Sequence, residues 1–163
     1  TYIHGKGHEF IISSVGIDEG NTLKEKLNIA VHCIDFMKKL KKTPKIATLS
    51  YARPGDYGRS EEINQSLDDA KKLTQLIEKH TNQKIENSCV LIDQAIKNKC
   101  NILIAPNGIV GNTIFRTLVL LNSWPSFGAI TFGIDDIYID TSRDQSREGY
   151  LRSLELAYKL AKL

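Results

Sequence analysis

The stretch NILIAPNGIVGNTIFRTLVLL, residues Asn101 to Leu121, decides the fold class of this chain. Four apolar residues, Ile102 to Ala105, predict a short strand that is covered on both faces. Residues 106–108 end that strand, and Gly111 with Asn112 leads into a helical pattern. The joint has two interpretations. It is an ordinary connection between strand and helix, or it is a ligand platform, because free backbone N–H groups at a helix start favour an anionic group.

The composition is that of one soluble globular domain, with 41% apolar and 25% charged residues in 163. Its 22 basic and 19 acidic residues are too balanced to indicate a nucleic-acid partner. No apolar run approaches the roughly 18 residues of a membrane span, and no signal-peptide pattern opens the chain. Three widely spaced cysteines, Cys33, Cys89 and Cys100, predict reduced thiols rather than a zinc site. We therefore expect a cytoplasmic protein that holds no metal.

Strand and helix patterns alternate along the rest of the chain. Predicted strands cover residues 9–17, 45–51, 84–86, 127–134 and 137–140, and predicted helices cover residues 23–42, 61–80 and 145–163, with one more helix capped by Ser88. Residues 1–8 are predicted to be a loop or disordered start, followed by an α/β domain over 9–163. The fold class is therefore α/β, with a largely parallel sheet flanked by helices.

Three loops share one character: ARPGDYGRS (52–60), PNGIVGN (106–112) and DTSRDQS (140–146). Each follows a predicted strand and precedes a predicted helix, so right-handed crossovers would place all three at one edge of the sheet. Arg53, Arg59 and Arg143 would make that edge an anion-binding cleft, with backbone donors from Gly111 and Asn112.

Each of these loops also has a purely structural interpretation. The arginines of ARPGDYGRS can pair with Asp56 or Glu61 within a polar loop. Ser142 or Asp144 can serve only as the cap of the last helix. The chain has no G-x-x-x-x-G-K-[ST] or G-x-G-x-x-G loop, no nucleophile elbow, and no identifiable Ser/His/Asp set. Nucleotide binding by the usual loops is therefore unsupported.

Taken together, these segments resemble a known family. ILIAPNGIVGN and FGAITFGIDDIYIDTSRDQSREGY resemble the C-terminal half of phosphate acetyl- and butyryltransferases. The closer resemblance is to the MtxX proteins, a methanogenesis marker group described as methyltransferase subunit X. Their LS-x-x-R-x-GD-x-GR pattern matches Leu49 to Arg59, their GN-x-IFRTLVLL pattern matches Gly111 to Leu121, and their VDTSR-type segment matches Ile139 to Arg143.

The resemblance implies a two-domain architecture like that of isocitrate and isopropylmalate dehydrogenases, with a ligand cleft between the domains. This chain then corresponds to the C-terminal portion, and the N-terminal domain is expected to be absent from it. Ser142 and Arg143 match the active-site SR pair of the acyltransferases, which bind coenzyme A and commonly form homodimers. Two departures from these enzymes matter. They place an Asp six residues beyond that Arg, where this chain has Gly149 beside Glu148. Their other catalytic arginines belong to the N-terminal domain, so this chain is expected to hold half of the cleft.

The leading hypothesis is an MtxX-like transferase-family protein, with Ser142 and Arg143 as catalytic candidates, that binds a small anionic or phosphorylated ligand. Candidate ligand-binding residues are Arg53, Gly55, Asp56, Gly58, Arg59, Asn107, Gly111, Asn112 and Thr113. One alternative is a phosphate acyltransferase, for which coenzyme A would be the co-substrate. The other is a non-catalytic binding or assembly subunit. A homodimer, formed through the exposed face of a middle helix, and contact with other methyltransferase subunits are the expected partners.

Overall fold

A five-stranded sheet forms the centre of the molecule in a computed structural model that describes residues 1–163. The strands are β1 (Tyr2–Gly5), β2 (His8–Ser13), β3 (Ile46–Leu49), β4 (Glu86–Cys89) and β5 (Ile102–Ile104), in the order β1-β2-β5-β3-β4. Strands β2, β5, β3 and β4 are parallel, and β1 pairs with β2 in the antiparallel sense. The prediction of an α/β fold with a largely parallel sheet is confirmed.

Five helices flank the sheet: α1 (Leu23–Lys39), α2 (Glu61–Thr81), α3 (Ile92–Lys97), α4 (Gly108–Phe115) and α5 (Arg147–Leu160). Four of them begin at a side chain that accepts a hydrogen bond from the first helical turn; these caps are Thr22, Ser60, Asn107 and Ser146. A π-helical turn, Arg116–Leu121, continues α4 directly. A short 3₁₀ turn, Pro54–Asp56, lies between β3 and α2.

Two apolar cores cover the opposite faces of the sheet. Because successive side chains of a strand point to opposite faces, Ile11 and Ile102 belong to the first core, whereas Phe10 and Leu103 belong to the second. The first core includes residues of α1, α2 and α5, and the second includes residues of α3 and the half-buried Trp124. Strand β5 is buried throughout, as its continuous apolar run predicts.

The prediction that residues 1–8 form a loop was wrong for its central part. Tyr2–Gly5 is a strand, and Tyr2 and Ile3 are buried with exposed fractions of 2% and 0%. Lys6 and Gly7, both with positive φ, make the two-residue turn that folds β1 back on β2. The strand has only two apolar residues, and the two histidines and two glycines of residues 1–8 are more typical of a loop. The sequence pattern therefore does not indicate a strand here.

Three further element boundaries differ from the prediction. Ser88 lies within β4 instead of capping a helix, and α3 begins only at Ile92. Neither Ser142 nor Asp144 caps the last helix, because that cap is Ser146. Strand β2 ends at Ser13, so residues 14–22 form a loop where a longer strand was predicted.

The segment after Trp124 first pairs with β1 through residues 125–128 and then forms a small two-stranded ribbon. Its strands β6 (Ala129–Ile130) and β7 (Ile139–Asp140) have two residues each and are antiparallel. The longer predicted strands over 127–134 and 137–140 are therefore mostly loop. The DTSRDQS segment therefore follows β7 of the ribbon. It does not follow a strand of the parallel sheet, as the prediction for the three loops requires.

Helix α5 turns an apolar face to solvent. The helical spacing of Leu151, Leu154 and Tyr158 predicts a buried stripe, yet their exposed fractions are 49%, 66% and 63%. The side that packs on the core carries small residues, Gly149 and Ser153, together with Leu156. Both sides of this helix carry apolar residues, so periodicity alone did not identify the packed one.

Candidate functional site

The loop that follows β2 is tied to the start of α4 at the carboxyl edge of the sheet. The Gly108 N–H donates to the Glu19 carbonyl at 3.0 Å, and the Asn112 side-chain amide donates to the Val15 carbonyl at 3.0 Å. A Cβ atom on Gly111 would collide with the Ser14 carbonyl, so the two backbones touch there. These contacts fix residues 14–20 against the helix.

The hydrogen bonds at the start of α4 contradict the prediction of free backbone donors from Gly111 and Asn112. The helix begins at Gly108, so Gly111 and Asn112 lie inside it. The Gly111 N–H donates to the Asn107 carbonyl at 3.0 Å, and the Val110 N–H donates to the Asn107 side-chain oxygen at 2.9 Å. Most N–H groups of the first turn therefore already have protein partners, and the turn is not an open anion platform.

The loop that follows β3 meets the same region through one side chain. Asn107, at the end of β5, donates from its amide to the Tyr51 hydroxyl at 2.6 Å. Tyr51 in turn stands just after β3, so the carboxyl ends of these neighbouring strands are joined. The predicted convergence of the loops after β3 and β5 is thus observed.

The two arginines of the loop after β3 do not point towards the start of α4. Arg53 and Arg59 are exposed, and the Arg59 guanidinium pairs with the Asp56 carboxylate at 3.0 Å. The same carboxylate accepts the Arg53 N–H at 3.0 Å. Gly55 and Gly58 are exposed as well, and Gly58 adopts a φ of +96° that favours glycine. This geometry matches the structural interpretation of the loop, in which Asp56 organises a tight turn.

A cleft of about 880 Å³ opens beside the loop that follows β2. Its walls come from that loop, from one face of α1, from the end of α4 and from the segment between Ser126 and Gln145. Two predicted site residues, Asn112 and Ser142, lie in its lining. The other nine do not; they are Arg53, Gly55, Asp56, Gly58, Arg59, Asn107, Gly111, Thr113 and Arg143.

Arg143 is exposed and follows the cleft residue Ser142, in a segment that contacts the π-helical turn after α4. Its neighbour Asp144 pairs with Arg116 at 3.5 Å, and the Asp144 N–H donates to the Ser142 hydroxyl at 3.3 Å. Thr113 is exposed, and its hydroxyl donates to the Ile109 carbonyl at 3.0 Å within α4. The SR pair thus stands at the rim, with Ser142 facing the cleft and Arg143 outside its lining.

Arg116 lines the cleft but is not among the residues that the sequence predicts for the site. It is the only lysine or arginine in the cleft, whereas four carboxylates, those of Asp18, Glu19, Glu25 and Asp140, lie in the same lining. The signal was available, because Arg116 follows Asn112 by four residues and so shares its helix face. It also begins a π-helical turn, an irregularity that is frequent at functional sites.

The far end of the cleft carries a histidine and an aromatic ring. His32 on α1 stacks on Phe132, with ring centroids 6.0 Å apart and planes inclined by 22°. The strand predicted over residues 9–17 includes the start of the loop that faces this end of the cleft. The loop of residues 14–22 was therefore missed, although it follows a buried strand just as the other candidate loops do.

Several proteins of methanogens are similar to this chain. A protein of Methanosarcina mazei, named "Putative methyltransferase mtx subunit X", is 37% identical over 138 residues, which is 84% of this chain and 48% of that protein. The chain is a homologue of the MtxX proteins. An "Uncharacterized methyltransferase" of Methanopyrus kandleri is 30% identical over 165 residues, covering 99% of the chain and 64% of that protein. The chain thus spans about half to two thirds of the length of these relatives, and no protein-family model matches it.

Solved structures give the same fold. The chain matches a branched-chain phosphotransacylase from Enterococcus faecalis with a TM-score of 0.74 and 22% identity, over 98% of this chain and 60% of that one. It matches a phosphotransacetylase from Staphylococcus aureus with a TM-score of 0.72 and 19% identity, over 99% and 53%. The resemblance to MtxX proteins and to the phosphotransacetylase fold, read from the motifs, is confirmed. At these identities the solved structures establish the fold alone. No helix of the chain is both long and apolar enough to cross a bilayer.

Proposed function

We propose that this chain forms one wall of a ligand cleft in a transferase-family protein of the MtxX group, and that the cleft takes a small anionic or phosphorylated molecule. The observation that carries the proposal is the convergence of Asn112, Arg116 and Ser142 on the cleft of about 880 Å³. That volume falls within the range of small-molecule sites, about 300–1,000 Å³. The relatives' names support transfer of a methyl group as the reaction class.

The proposed roles follow from the chemistry of the side chains. The Ser142 hydroxyl would hydrogen-bond the ligand from the rim of the cleft. Arg143 would supply a guanidinium fork to the anion from just outside the lining, because its planar donors fit phosphate and carboxylate oxygens. Three of the lining carboxylates, those of Asp18, Glu19 and Glu25, would keep an anion away from the α1 end. Arg53 and Arg59, which pair locally with Asp56, are assigned no contact with the ligand.

The test is a thermal-shift screen on the full-length protein, with phosphorylated compounds and coenzyme A as probes. We expect at least one probe to raise the Tm, and the shift to shrink in Ser142→Ala and Arg143→Ala variants. Arg147→Ala is the matched control, since Arg147 is an exposed arginine four residues from Arg143 and outside the lining. A shift that is equal in all four proteins would place the ligand elsewhere and refute the proposal.

A phosphate acyltransferase is the second candidate, favoured by the position of Ser142 at the cleft rim. Oxyanion stabilisation by Arg143 would support attack of coenzyme A on an acyl phosphate. Against it, Gly149 is buried in the first turn of α5, where a Cβ atom would collide with the Gln145 side chain. An assay of acetyl phosphate plus coenzyme A with the full-length protein decides, and absence of turnover removes this candidate.

A non-catalytic assembly subunit is the third candidate, and the exposed apolar residues of α5 support it. Leu151, Leu154 and Tyr158 form a solvent-facing stripe of the kind that marks protein contacts. The middle helix α2 offers less, since Leu76, at 39%, is its only exposed large apolar residue. Light scattering on the full-length protein tests the expected homodimer, and a monomeric mass would contradict it.

A further inference from the structure

Arg116 is the only lysine or arginine in the lining of the cleft. Of its lining side chains, Arg116 alone carries a permanent positive charge, and it faces a lining with four carboxylates. An anion that enters therefore has one favourable cationic contact inside the cleft, whatever the rim supplies. We propose that Arg116 receives the anionic group of the ligand and that Asp144 holds this arginine until the ligand displaces it. The inference rests on the proposed function and adds a binding residue and a built-in competitor to it.

The ion pair between Arg116 and Asp144 has the properties of a releasable contact. Its shortest nitrogen–oxygen distance is 3.5 Å, longer than the 2.7–2.9 Å of a strong charge-assisted hydrogen bond. The two side chains are 56% and 66% exposed, so water and salt screen their attraction. A phosphate, which carries more charge and presents several oxygens to the guanidinium fork, would out-compete one monodentate carboxylate.

The backbone beneath Arg116 is fixed, which limits the reorganisation that binding requires. The Arg116 N–H donates to the Asn112 and Thr113 carbonyls, and the Thr117 hydroxyl donates to the Thr113 carbonyl at 2.8 Å. One turn earlier, the Asn112 amide is anchored on the Val15 carbonyl. Only the side chain of Arg116 has to move from Asp144 towards the cleft, so little order has to be gained on binding.

The displaced carboxylate links the site to the SR segment. Asp144 follows Arg143 directly, and its N–H donates to the Ser142 hydroxyl. When the ligand takes Arg116, the Asp144 side chain loses its partner and the segment of residues 142–144 is free to adjust around the anion. The two arginines thereby act on one group from two sides, Arg116 from the π-helical turn and Arg143 from the rim.

The proposal predicts opposite effects for the two partners of the ion pair. Arg116→Gln removes the receiving charge and is expected to weaken binding at least tenfold. Arg116→Lys keeps the charge but loses the fork, so an intermediate loss is expected. Asp144→Asn removes the competitor and is expected to tighten binding about threefold, with the largest gain at low salt.

The experiment is isothermal titration of the full-length protein with inorganic phosphate and with the strongest probe of the thermal-shift screen. Arg147→Gln is the control, and circular dichroism checks that each variant is folded. Loss in Arg116→Gln together with a gain in Asp144→Asn supports the proposal. If Arg116→Gln binds as tightly as wild type while Arg143→Gln loses affinity, this inference fails and the proposed function stands. A wild-type protein that binds none of the probes overturns both.

Discussion

The Asn107 side-chain amide donates to the Tyr51 hydroxyl at 2.6 Å and so joins the carboxyl ends of two neighbouring parallel strands. The same Asn107 side chain caps α4 through its oxygen, which accepts the Val110 N–H. One residue therefore serves two elements. The cap sets where α4 begins, and the contact with Tyr51 sets how the loop after β3 sits beside it.

Asn107→Ala should lower the free energy of unfolding by about 1–3 kcal/mol, because it removes both the cap and the bond to Tyr51. Asn107→Asp keeps an oxygen for the cap but loses the amide donor, so a smaller loss is expected. Tyr51→Phe isolates the hydroxyl, at about 0.5–1.5 kcal/mol. Urea unfolding of the single and double variants gives a double-mutant cycle. Strict additivity of Asn107→Ala and Tyr51→Phe would show that the two side chains do not interact.

Gly111→Ala should destabilise the protein by about 1–3 kcal/mol, since the added methyl group meets the Ser14 carbonyl and forces the loop of residues 14–20 away from α4. Gly55→Ala is the matched control, because a Cβ atom there meets nothing within 4 Å. Chemical denaturation of both variants provides the measurement. Equal stability of the two variants would mean that the close approach of α4 to the loop is dispensable.

Cys33 gives the protein a predicted dependence on alkaline pH. Burial raises the pKa of its thiol from 9.0 to about 12. Because the unfolded thiol ionises near 9 while the folded one stays protonated, the contribution of Cys33 is complete below pH 9. It is then lost as pH rises towards 12, with a slope of up to about 1.4 kcal/mol per unit.

The check is the difference in unfolding free energy between wild type and Cys33→Ala at pH 7, 9 and 10.5. The deficit of the variant should narrow above pH 9, since the variant lacks the titrating group. Ile34→Val, at the next position of α1 and also buried, has no titrating group and should show a deficit that is constant with pH. A deficit of Cys33→Ala that is likewise constant would contradict the buried-thiol argument.

Lys26 is a lysine with only 8% exposure on α1, and burial lowers its pKa, partly opposed by Asp69 and Glu25. Because the folded state then disfavours the charged form, Lys26→Met should stabilise the protein, by roughly 1 kcal/mol. The gain should be largest at acidic and neutral pH and vanish as pH passes the ordinary lysine pKa of 10.5. Lys24→Met, an exposed lysine on the same turn, is the control for thermal unfolding. A loss of stability in Lys26→Met would mean that its charge is well compensated.

The sequence predicts the parallel sheet because its signals are local and strong. The apolar run of β5 and the hydroxyl cap of α1 at Thr22 each specify an element without help from the rest of the fold. Strand β1 has no such signal: its apolar pair, Tyr2 and Ile3, is buried because β2, the segment around Phe127 and Phe36 of α1 pack on it. Strand β1 forms because it pairs with other segments of the chain, and a local sequence pattern gives no information about such pairing.

The candidate site was predictable in its location and less so in its members. The loops after β3 and β5 do converge, since parallel strands present their carboxyl ends on one edge. The sequence does not show which way each arginine side chain points. The Arg59 side chain pairs with Asp56, whereas the Arg116 side chain lines the cleft. Both are arginines near a glycine-containing turn, and only the packed structure separates them.

The order of strands in the sheet has a consequence for how the chain folds. Strand β5 lies between β2 and β3, and Ile102 is the register partner of both Ile11 and Ile46. The central strand is thus the last of the parallel strands to leave the ribosome. Until it arrives, β2 and β3 have no common neighbour and the growing chain keeps two unpaired apolar edges. A nascent chain stalled before Asn101 would therefore be a target for chaperones, and folding should complete in one late step when β5 inserts.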